Sequence, residues 1–173
     1  FKNNIHIICV DDGSSDNSAK IIKNYQKKYP KNITYIYKEN GGQASARNLG
    51  LKLLQEDPNL KDKFTWVTFT DPDDFLDRDY FYEVDEFLVK NENENISMVA
   101  CNFIFYFEKH EAYKDTHPLK FKFQENITIL PNSNLNKNIQ LSAATAFVNL
   151  NTIKNTKQIK PIFNEEILNF EDA

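Results

Sequence analysis

The chain has 173 residues, of which 40% are hydrophobic and 27% charged, so it can fold as one domain with a real core. Its 21 Lys and Arg against 25 Asp and Glu give a net charge of −4, which offers no basic field to a nucleic-acid partner. No apolar run approaches the roughly 20 residues that a membrane-spanning helix requires. The two cysteines, Cys9 and Cys101, lie in apolar runs, which favours buried free thiols and a reducing compartment.

Strand and helix patterns alternate three times in the first half of the chain. The predicted strands are short apolar runs bounded by turn residues, and the predicted helices repeat apolar residues every three or four positions. In chain order these segments are 5–10, 17–29, 33–37, 43–55, 64–70 and 80–90. Such alternation predicts an α/β domain with a mostly parallel sheet and helices on both of its faces.

The second half of the chain is patterned differently. Residues 96–107 form one long apolar run that predicts a single strand, and "LKFKF" at 119–123 alternates as a hairpin or edge strand would. The segment 141–155, "LSAATAFVNLNTIKN", is consistent with a strand followed by a helix. No internal repeat or linker divides the chain, which predicts one domain.

Acidic clusters follow two of the predicted strands. Asp11 and Asp12 come directly after the first strand, and Asp71, Asp73 and Asp74 follow the third. Ligands of open α/β sheets bind outside the carboxyl ends of the strands, where these carboxylates would converge. Converging carboxylates suit a hard divalent cation, and Mg²⁺ in particular shares its shell with phosphate oxygens. The pattern therefore predicts a site for a metal ion and a diphosphate.

A simpler role stays open for each of these aspartates. Aspartate is common in turns and at helix caps, so any single one of them can be structural. The chain contains neither GxGxxG nor GxxxxGK, the two glycine-rich phosphate loops. Their absence speaks against a dinucleotide oxidoreductase and against a P-loop enzyme.

Three segments, in this order and spacing, resemble the family 2 glycosyltransferases of the GT-A fold. They are "IICVDDGSSDNSAKII", "ENGGQASARNLGL" and "FTDPDDFLDRDYF". A fourth, "PIFNEEILNFEDA", resembles the family segment that carries a catalytic Glu-Asp pair. The resemblance covers nearly the whole chain and favours the bacterial surface-glycan type. It implies a Rossmann-like, mostly parallel sheet in one domain over 1–173, which lacks the family's first strand and is truncated at both ends.

The resemblance also implies a role for each motif residue. The residues expected to bind the nucleotide-sugar are Asp12, Asn40, Gly41, Arg47, Asn48 and Asp71. Asp73, the last aspartate of the DxD motif, would hold Mn²⁺ or Mg²⁺ on the diphosphate, with Asp74 beside it. Asp172 would be the general base, and Glu171 would support it or orient the acceptor. For Arg47 a second role stays open, as the partner of an acidic cluster at the strand ends.

Asp11 and Asp12 are expected to have different roles. Because side chains alternate along an extended segment, the two carboxylates leave the strand end on opposite sides. Asp12 is predicted to meet the nucleotide. Asp11 is predicted to accept hydrogen bonds from the backbone amides of the turn over 13–15.

The implied reaction is inverting, metal-assisted sugar transfer from a nucleotide-diphosphate sugar, expected to be UDP-linked, to a glycan or lipid-linked acceptor hydroxyl. Donor supply implies the cytoplasm, at the inner face of the membrane through peripheral association when the acceptor is lipid-linked. One alternative is a non-catalytic nucleotide- or carbohydrate-binding remnant. Another is a receiver-type signalling domain, whose acidic pair, phospho-acceptor and Lys-Pro are imitated by residues 11–12, Asp57 and 160–161.

Overall fold

Alternating strands and helices make up the first half of the chain, as the pattern predicts. The computed structural model describes residues 5–102, 104–114, 129 and 143–154. In chain order its elements are β1 (Ile7–Asp12), α1 (Ser18–Lys28), β2 (Ile33–Lys38), α2 (Gln43–Glu56), β3 (Trp66–Val67), α3 (Tyr80–Lys90), β4 (Met98–Ala100), β5 (Phe105–Phe107), β6 (Ala112–Lys114), β7 (Ala146–Asn149) and α4 (Leu150–Lys154). The α/β class and the three predicted helices are therefore confirmed.

Aspartate side chains accept local hydrogen bonds just ahead of two of the helices. Ahead of α1, the Asp16 carboxylate accepts from the amide of Ser18 at 2.9 Å. Ahead of α3, Asp77 accepts from the amide of Asp79 at 2.8 Å. Each contact satisfies an amide that the start of a helix leaves without a partner.

The strands β1 and β2 form a parallel pair, as the order of the elements predicts. Their register runs from Ile7 opposite Ile33 to Asp12 opposite Lys38. Because the strands are parallel, their carboxyl ends meet at the same edge. Helix α2 packs on β1 at Gly50, where an added Cβ would lie 3.6 Å from Val10 Cγ2, an ordinary contact distance. The parallel pair therefore carries the first acidic cluster at its carboxyl edge.

A second sheet has the order β3–β7–β4, and β7 runs antiparallel to both neighbours. The pattern indicates β7 followed by α4, and both elements form. It does not indicate that β7 lies between β3 and β4. Since β3 and β4 are both antiparallel to β7, they run in the same direction and end at the same edge.

Two strand predictions need correction. The third strand covers Trp66–Val67 and not 64–70, because only these two residues pair with β7. The run 96–107 is not one strand: Met98–Ala100 pairs with β7, whereas Phe105–Phe107 pairs with β6 in a separate hairpin. An apolar run indicates that a segment is buried but does not show where a strand ends or changes partner. The predicted strand at 119–123 lies outside the described residues.

Two apolar clusters hold the layers together. Leu54, Leu60 and Leu150 are buried against each other, with partly buried Ile8 and Val67 packed on them. In the second cluster, ring contacts join α3 to β7. The Tyr80 centroid lies 5.3 Å from both the Phe81 and the Phe147 centroids. These contacts anchor both ends of the segment that carries the second acidic cluster.

Both cysteines are free and partly buried, as predicted. Burial raises the pKa of the Cys9 thiol and of the Cys101 thiol, which suits a packing role more than a reactive one. Within the part of the chain that the structure describes, no helix is long and apolar enough to cross a membrane.

Replacing Gly13 by alanine is expected to lower the free energy of unfolding by about 1–3 kcal/mol. Gly13 has φ +81°, and an added Cβ would lie 2.9 Å from the backbone nitrogen of Asn40. Gly50→Ala is the matched control. Gly50 lies within α2, and its added Cβ would meet only ordinary contacts with Val10 and Ile8 of β1, so alanine should raise stability by about 0.5–1 kcal/mol. Urea unfolding followed by circular dichroism measures both; effects of the same sign would contradict this account.

Candidate active site

Three segments of the chain converge at the carboxyl edge of β1 and β2. They are the end of β1, the loop 39–42 that enters α2, and the turn over 71–74 that follows β3. Asp12 accepts hydrogen bonds from the amides of Gly41 and Gly42. Gln43 and Arg47, one turn apart on α2, both donate to Asp71. The loop and the start of α2 therefore join the two acidic clusters that the sequence identifies.

Asp11 is buried and has a structural role. Its side chain is 3% exposed, Oδ1 accepts from the Ser14 amide at 2.8 Å, and Oδ2 accepts from the Tyr35 hydroxyl at 2.8 Å. The amide of Ser14 and then the hydroxyl of Tyr35 lower the pKa of Asp11 below its ordinary value. The predicted hydrogen bond from the turn is confirmed, and Asp11 fixes the conformation of the chain just after β1.

Asp12 has more partners in the protein than the sequence predicts. Oδ1 accepts from Lys38 Nζ at 2.5 Å and from the Gly41 amide at 3.0 Å, and Oδ2 accepts from the Gly42 amide at 2.8 Å. Burial raises the pKa of Asp12, but the bonds from Lys38 and the two amides outweigh it, so the pKa is lowered overall. The carboxylate also lies at the start of α2, where the helix dipole favours negative charge. Its contact with a nucleotide stays a prediction.

The loop 39–42 packs closely against the end of β1. An added Cβ on Gly13 would lie 2.9 Å from the Asn40 nitrogen, and one on Gly41 would lie 2.7 Å from Lys38 Nζ. Gly42 has φ +84°, a conformation that side chains with a Cβ rarely adopt, and it immediately precedes α2. The three glycines thus allow the backbone of the loop to approach Asp12 directly.

Arg47 is the partner of the second acidic cluster. It is 8% exposed, and its Nη2 donates to Asp71 Oδ1 at 3.0 Å. Gln43 Nε2 donates to the same oxygen at 2.9 Å, and the Arg47 guanidinium carbon lies 5.8 Å from the centre of the Phe69 ring. Of the two roles considered for Arg47, the structure shows the pairing with an acidic cluster at the strand ends. Asn48, next on α2, is half-buried, and its contact with a nucleotide stays a prediction.

The turn over 71–74 brings three carboxylates together. The Asp74 amide donates to the Asp71 carbonyl oxygen at 3.1 Å, and Asp73 and Asp74 are exposed. Burial, and then the negative charges of Asp71 and Asp73, raise the pKa of Asp74. A divalent cation would relieve this repulsion, so the residues fit Mn²⁺ or Mg²⁺. Among the described residues, no group of three or more His, Cys, Asp or Glu side chains is arranged to hold a metal ion.

Several predicted residues lie outside the described part of the chain. These are Asp172, Glu171 and the Lys160–Pro161 pair. Asp57, the other residue required by the receiver alternative, is described. It directly follows α2, and its carboxylate accepts from the Asn59 amide at 2.7 Å, so it does not end a buried strand as a phospho-acceptor would.

Two contact residues of the site, Lys38 and Gln43, were not predicted. Lys38 ends β2 in register with Asp12, so a parallel alignment of the first two strands would have placed it there. Gln43 lies four positions before Arg47 on the same face of α2. The first signal depends on the strand register, which composition and motif do not provide. The second was available, since the predicted helix over 43–55 already contains both Gln43 and Arg47.

A family model described as glycosyl transferase family 2 matches residues 1–149. The chain belongs to this family. The family 2 chain is 30% identical, over its whole length, to the minor teichoic acid biosynthesis protein GgaA of Bacillus subtilis strain 168. It is 34% identical over 98% of its length to GgaB of the same organism. With glycosyltransferase GlyA of Streptococcus pneumoniae serotype 4 it shares 32% identity over 72% of its length.

The family match confirms the predicted glycosyltransferase class, the α/β fold class and the resemblance on which both were based. It also speaks against a receiver domain. The chain spans 35% of GgaA and 17% of GgaB, so it corresponds to about a third and a sixth of these relatives.

Arg47→Met is expected to lower the free energy of unfolding by about 1–3 kcal/mol, because it leaves the Asp71 carboxylate without its charged partner. Arg78→Met is the matched control, since Arg78 is the other arginine of the chain and is exposed. That change should alter stability by no more than about 0.5 kcal/mol. Thermal or urea unfolding distinguishes them; equal losses in the two variants would show that the Arg47–Asp71 pair contributes nothing.

Proposed function

We propose that this family 2 domain transfers a sugar from a nucleotide-diphosphate sugar, UDP-linked, to a hydroxyl group of a glycan or lipid-linked acceptor, with inversion. The observation that carries the proposal is the convergence of Asp12, the loop 39–42 and the turn 71–74 at one edge. This edge offers both kinds of group that the donor requires. Asp12 and the loop can receive the nucleoside, and the exposed carboxylates can receive a metal-bridged diphosphate.

Asp12 retains capacity to bind the nucleotide despite its three partners in the protein. An ionised carboxylate accepts about four hydrogen bonds, so one site is left for a ribose hydroxyl or a uracil N–H. Its pKa is lowered, so the group is ionised at neutral pH and both of its oxygens act as acceptors. Asn40 and Gly41, on the same loop, would line this part of the donor site, and Asn48 would contribute from α2.

The aspartates of the turn over 71–74, called the acidic turn below, would make two kinds of contact with the donor. Arg47 and Gln43 hold Asp71 in place, which suits a group that orients the ribose. Asp73 and Asp74 are exposed and would hold Mn²⁺ or Mg²⁺. When bound, the metal supplies stabilisation of the negative charge that develops on the leaving diphosphate. Because Asp71 is already paired, two carboxylates and not three would face the cation.

The acceptor side of the reaction requires a base. An acceptor hydroxyl has a pKa far above neutrality, so a carboxylate must take its proton as the attack proceeds. We assign this role to Asp172, with Glu171 supporting it or orienting the acceptor. Inversion in a single displacement further requires that the acceptor oxygen and the leaving group be held in line.

The identity of the relatives extends the proposal to the acceptor class. Two of them are named for teichoic acid biosynthesis, so we propose a bacterial surface glycan of this kind as the acceptor. Residues 1–173 would act as one nucleotide-sugar transferase domain. The donor pool places the reaction in the cytoplasm, at the inner face of the membrane through peripheral association when the acceptor is lipid-linked.

The metal assignment predicts different outcomes for two aspartates of one turn. Asp73→Asn should remove most of the Mn²⁺ dependence of UDP binding, because it removes a ligand charge, and should leave thermal stability nearly unchanged. Asp71→Asn should affect Mn²⁺ dependence less but lower stability, since it removes the negative charge that pairs with Arg47. Calorimetric UDP titrations with and without Mn²⁺, combined with thermal melts, measure both effects. Equal Mn²⁺ dependence in wild type and Asp73→Asn would refute the assignment.

The base assignment predicts that Asp172→Asn lowers sugar transfer by about 10²–10⁴-fold while UDP affinity stays nearly unchanged. Glu171→Gln should cost less. If the two residues only cap a helix, Asp172→Asn should keep nearly full activity, because asparagine caps as well as aspartate. Transfer assays with the full-length protein decide between these roles. Firm UDP binding without any transfer or UDP-sugar hydrolysis in wild type would favour a non-catalytic binding domain.

A further inference from the structure

Three exposed aromatic rings lie beside the acidic turn and have no role in the site described above. Phe75 directly follows Asp74 and is 80% exposed, and Tyr106 and Tyr113 on the β5–β6 hairpin are 37% and 74% exposed. We call Phe75, Tyr106 and Tyr113 the aromatic platform. Rings left in water forgo the stabilisation that burial would bring, and contiguous exposed apolar surface commonly marks a binding site.

The hairpin register aligns the platform. Tyr106 pairs directly with Tyr113, so both side chains leave the same face, and their ring centroids are 4.9 Å apart. Phe75 meets Tyr106 edge to face at 6.1 Å and 86°, which joins the hairpin to the acidic turn. The three rings therefore form one continuous surface that begins at the residue next to Asp74.

The opposite face of the hairpin differs in chemistry. Alternation places Phe105, Phe107, Ala112 and Lys114 there, so that face carries two partly exposed phenylalanine rings and no hydroxyl group. The Lys114 ammonium lies 5.3 Å from the centre of the Phe107 ring. At the hairpin tip, residues 108–111 read Glu-Lys-His-Glu, with acidic and basic side chains together. The platform itself thus combines three rings and two phenolic hydroxyls without a cluster of cations.

We propose that the aromatic platform binds a pyranose ring of the acceptor by stacking; this inference rests on the proposed function. One face of a pyranose presents C–H groups, which suit the negatively polarised face of an aromatic ring. Sugar hydroxyls at the ring edge can exchange hydrogen bonds with the two tyrosines. Since Phe75 adjoins Asp74, a sugar on the platform presents a hydroxyl beside the diphosphate end of the donor.

The chemistry of the surface favours a sugar over a membrane as its occupant. Peripheral attachment to an anionic membrane surface depends on clustered Lys and Arg side chains. The hairpin has its charges mixed at the tip, and Lys114 lies on the face opposite the platform. The Phe75–Tyr106 contact joins the platform to the acidic turn. The platform therefore lies where the proposed reaction requires an acceptor.

Saturation-transfer NMR on the full-length protein tests the proposal, with methyl β-D-glucopyranoside and methyl N-acetyl-β-D-glucosaminide as probes and glycerol as the ringless comparison. Both glycosides should receive saturation on their ring protons, and glycerol should not. Phe75→Leu and Tyr113→Leu should each weaken glycoside binding about tenfold, the effect of losing one stacking partner. Tyr113→Phe, which keeps the ring, should bind more like wild type.

Tyr29→Leu is the control, because Tyr29 is a comparably exposed tyrosine, 54%, at the end of α1. Equal glycoside signals in Tyr29→Leu, Phe75→Leu and Tyr113→Leu, or equal signals from glycerol, would overturn the proposal. So would tyrosine-dependent sedimentation with phosphatidylcholine–phosphatidylglycerol vesicles in the absence of glycoside binding. UDP titration of the same samples tests the proposed function separately: UDP binding without glycoside binding rejects the platform alone, and the reverse rejects the donor site.

Discussion

The hydrogen bonds accepted by Asp12 are the interaction on which the candidate site depends. This carboxylate ends β1, and it binds the ammonium of Lys38 at the end of β2 and the amides of Gly41 and Gly42 ahead of α2. One side chain thus connects two parallel strands to the helix that follows them. Because α2 begins at this point, Arg47 reaches Asp71, and the acidic turn is held in a fixed relation to β1.

The carboxylates near this edge have different environments. The differences distinguish those that stabilise the fold from those that are free to bind a ligand. Asp11 is buried among neutral donors, and Asp71 is paired with a buried guanidinium. Both have their negative charge compensated inside the protein. Asp73 and Asp74 are exposed, and partial burial, followed by the negative charges of Asp71 and Asp73, raises the pKa of Asp74. Negative charge that the protein does not compensate is what a site for a cation requires.

The helices and the first two strands could be predicted because their patterns report local burial. The extent of β3 and the break between β4 and β5 could not, since both depend on pairing with residues far along the chain. Within the site, motif and spacing identified the aspartates and Arg47. They did not identify Lys38 or the hydrogen bond that Gly42 donates to Asp12, because a polar residue at a strand end has no periodic signature.

The position of β7 has a consequence for how this protein folds. Trp66 of β3 pairs with Asn149 and Met98 of β4 pairs with Val148, so the middle strand of that sheet is made late during synthesis. The β1–α1–β2–α2 unit needs only neighbouring sequence and can assemble first. The β3–β7–β4 sheet must instead close a long loop, whose entropic cost slows folding. Until β7 emerges from the ribosome, the inner edges of β3 and β4 lack a partner, and the nascent chain is open to aggregation there.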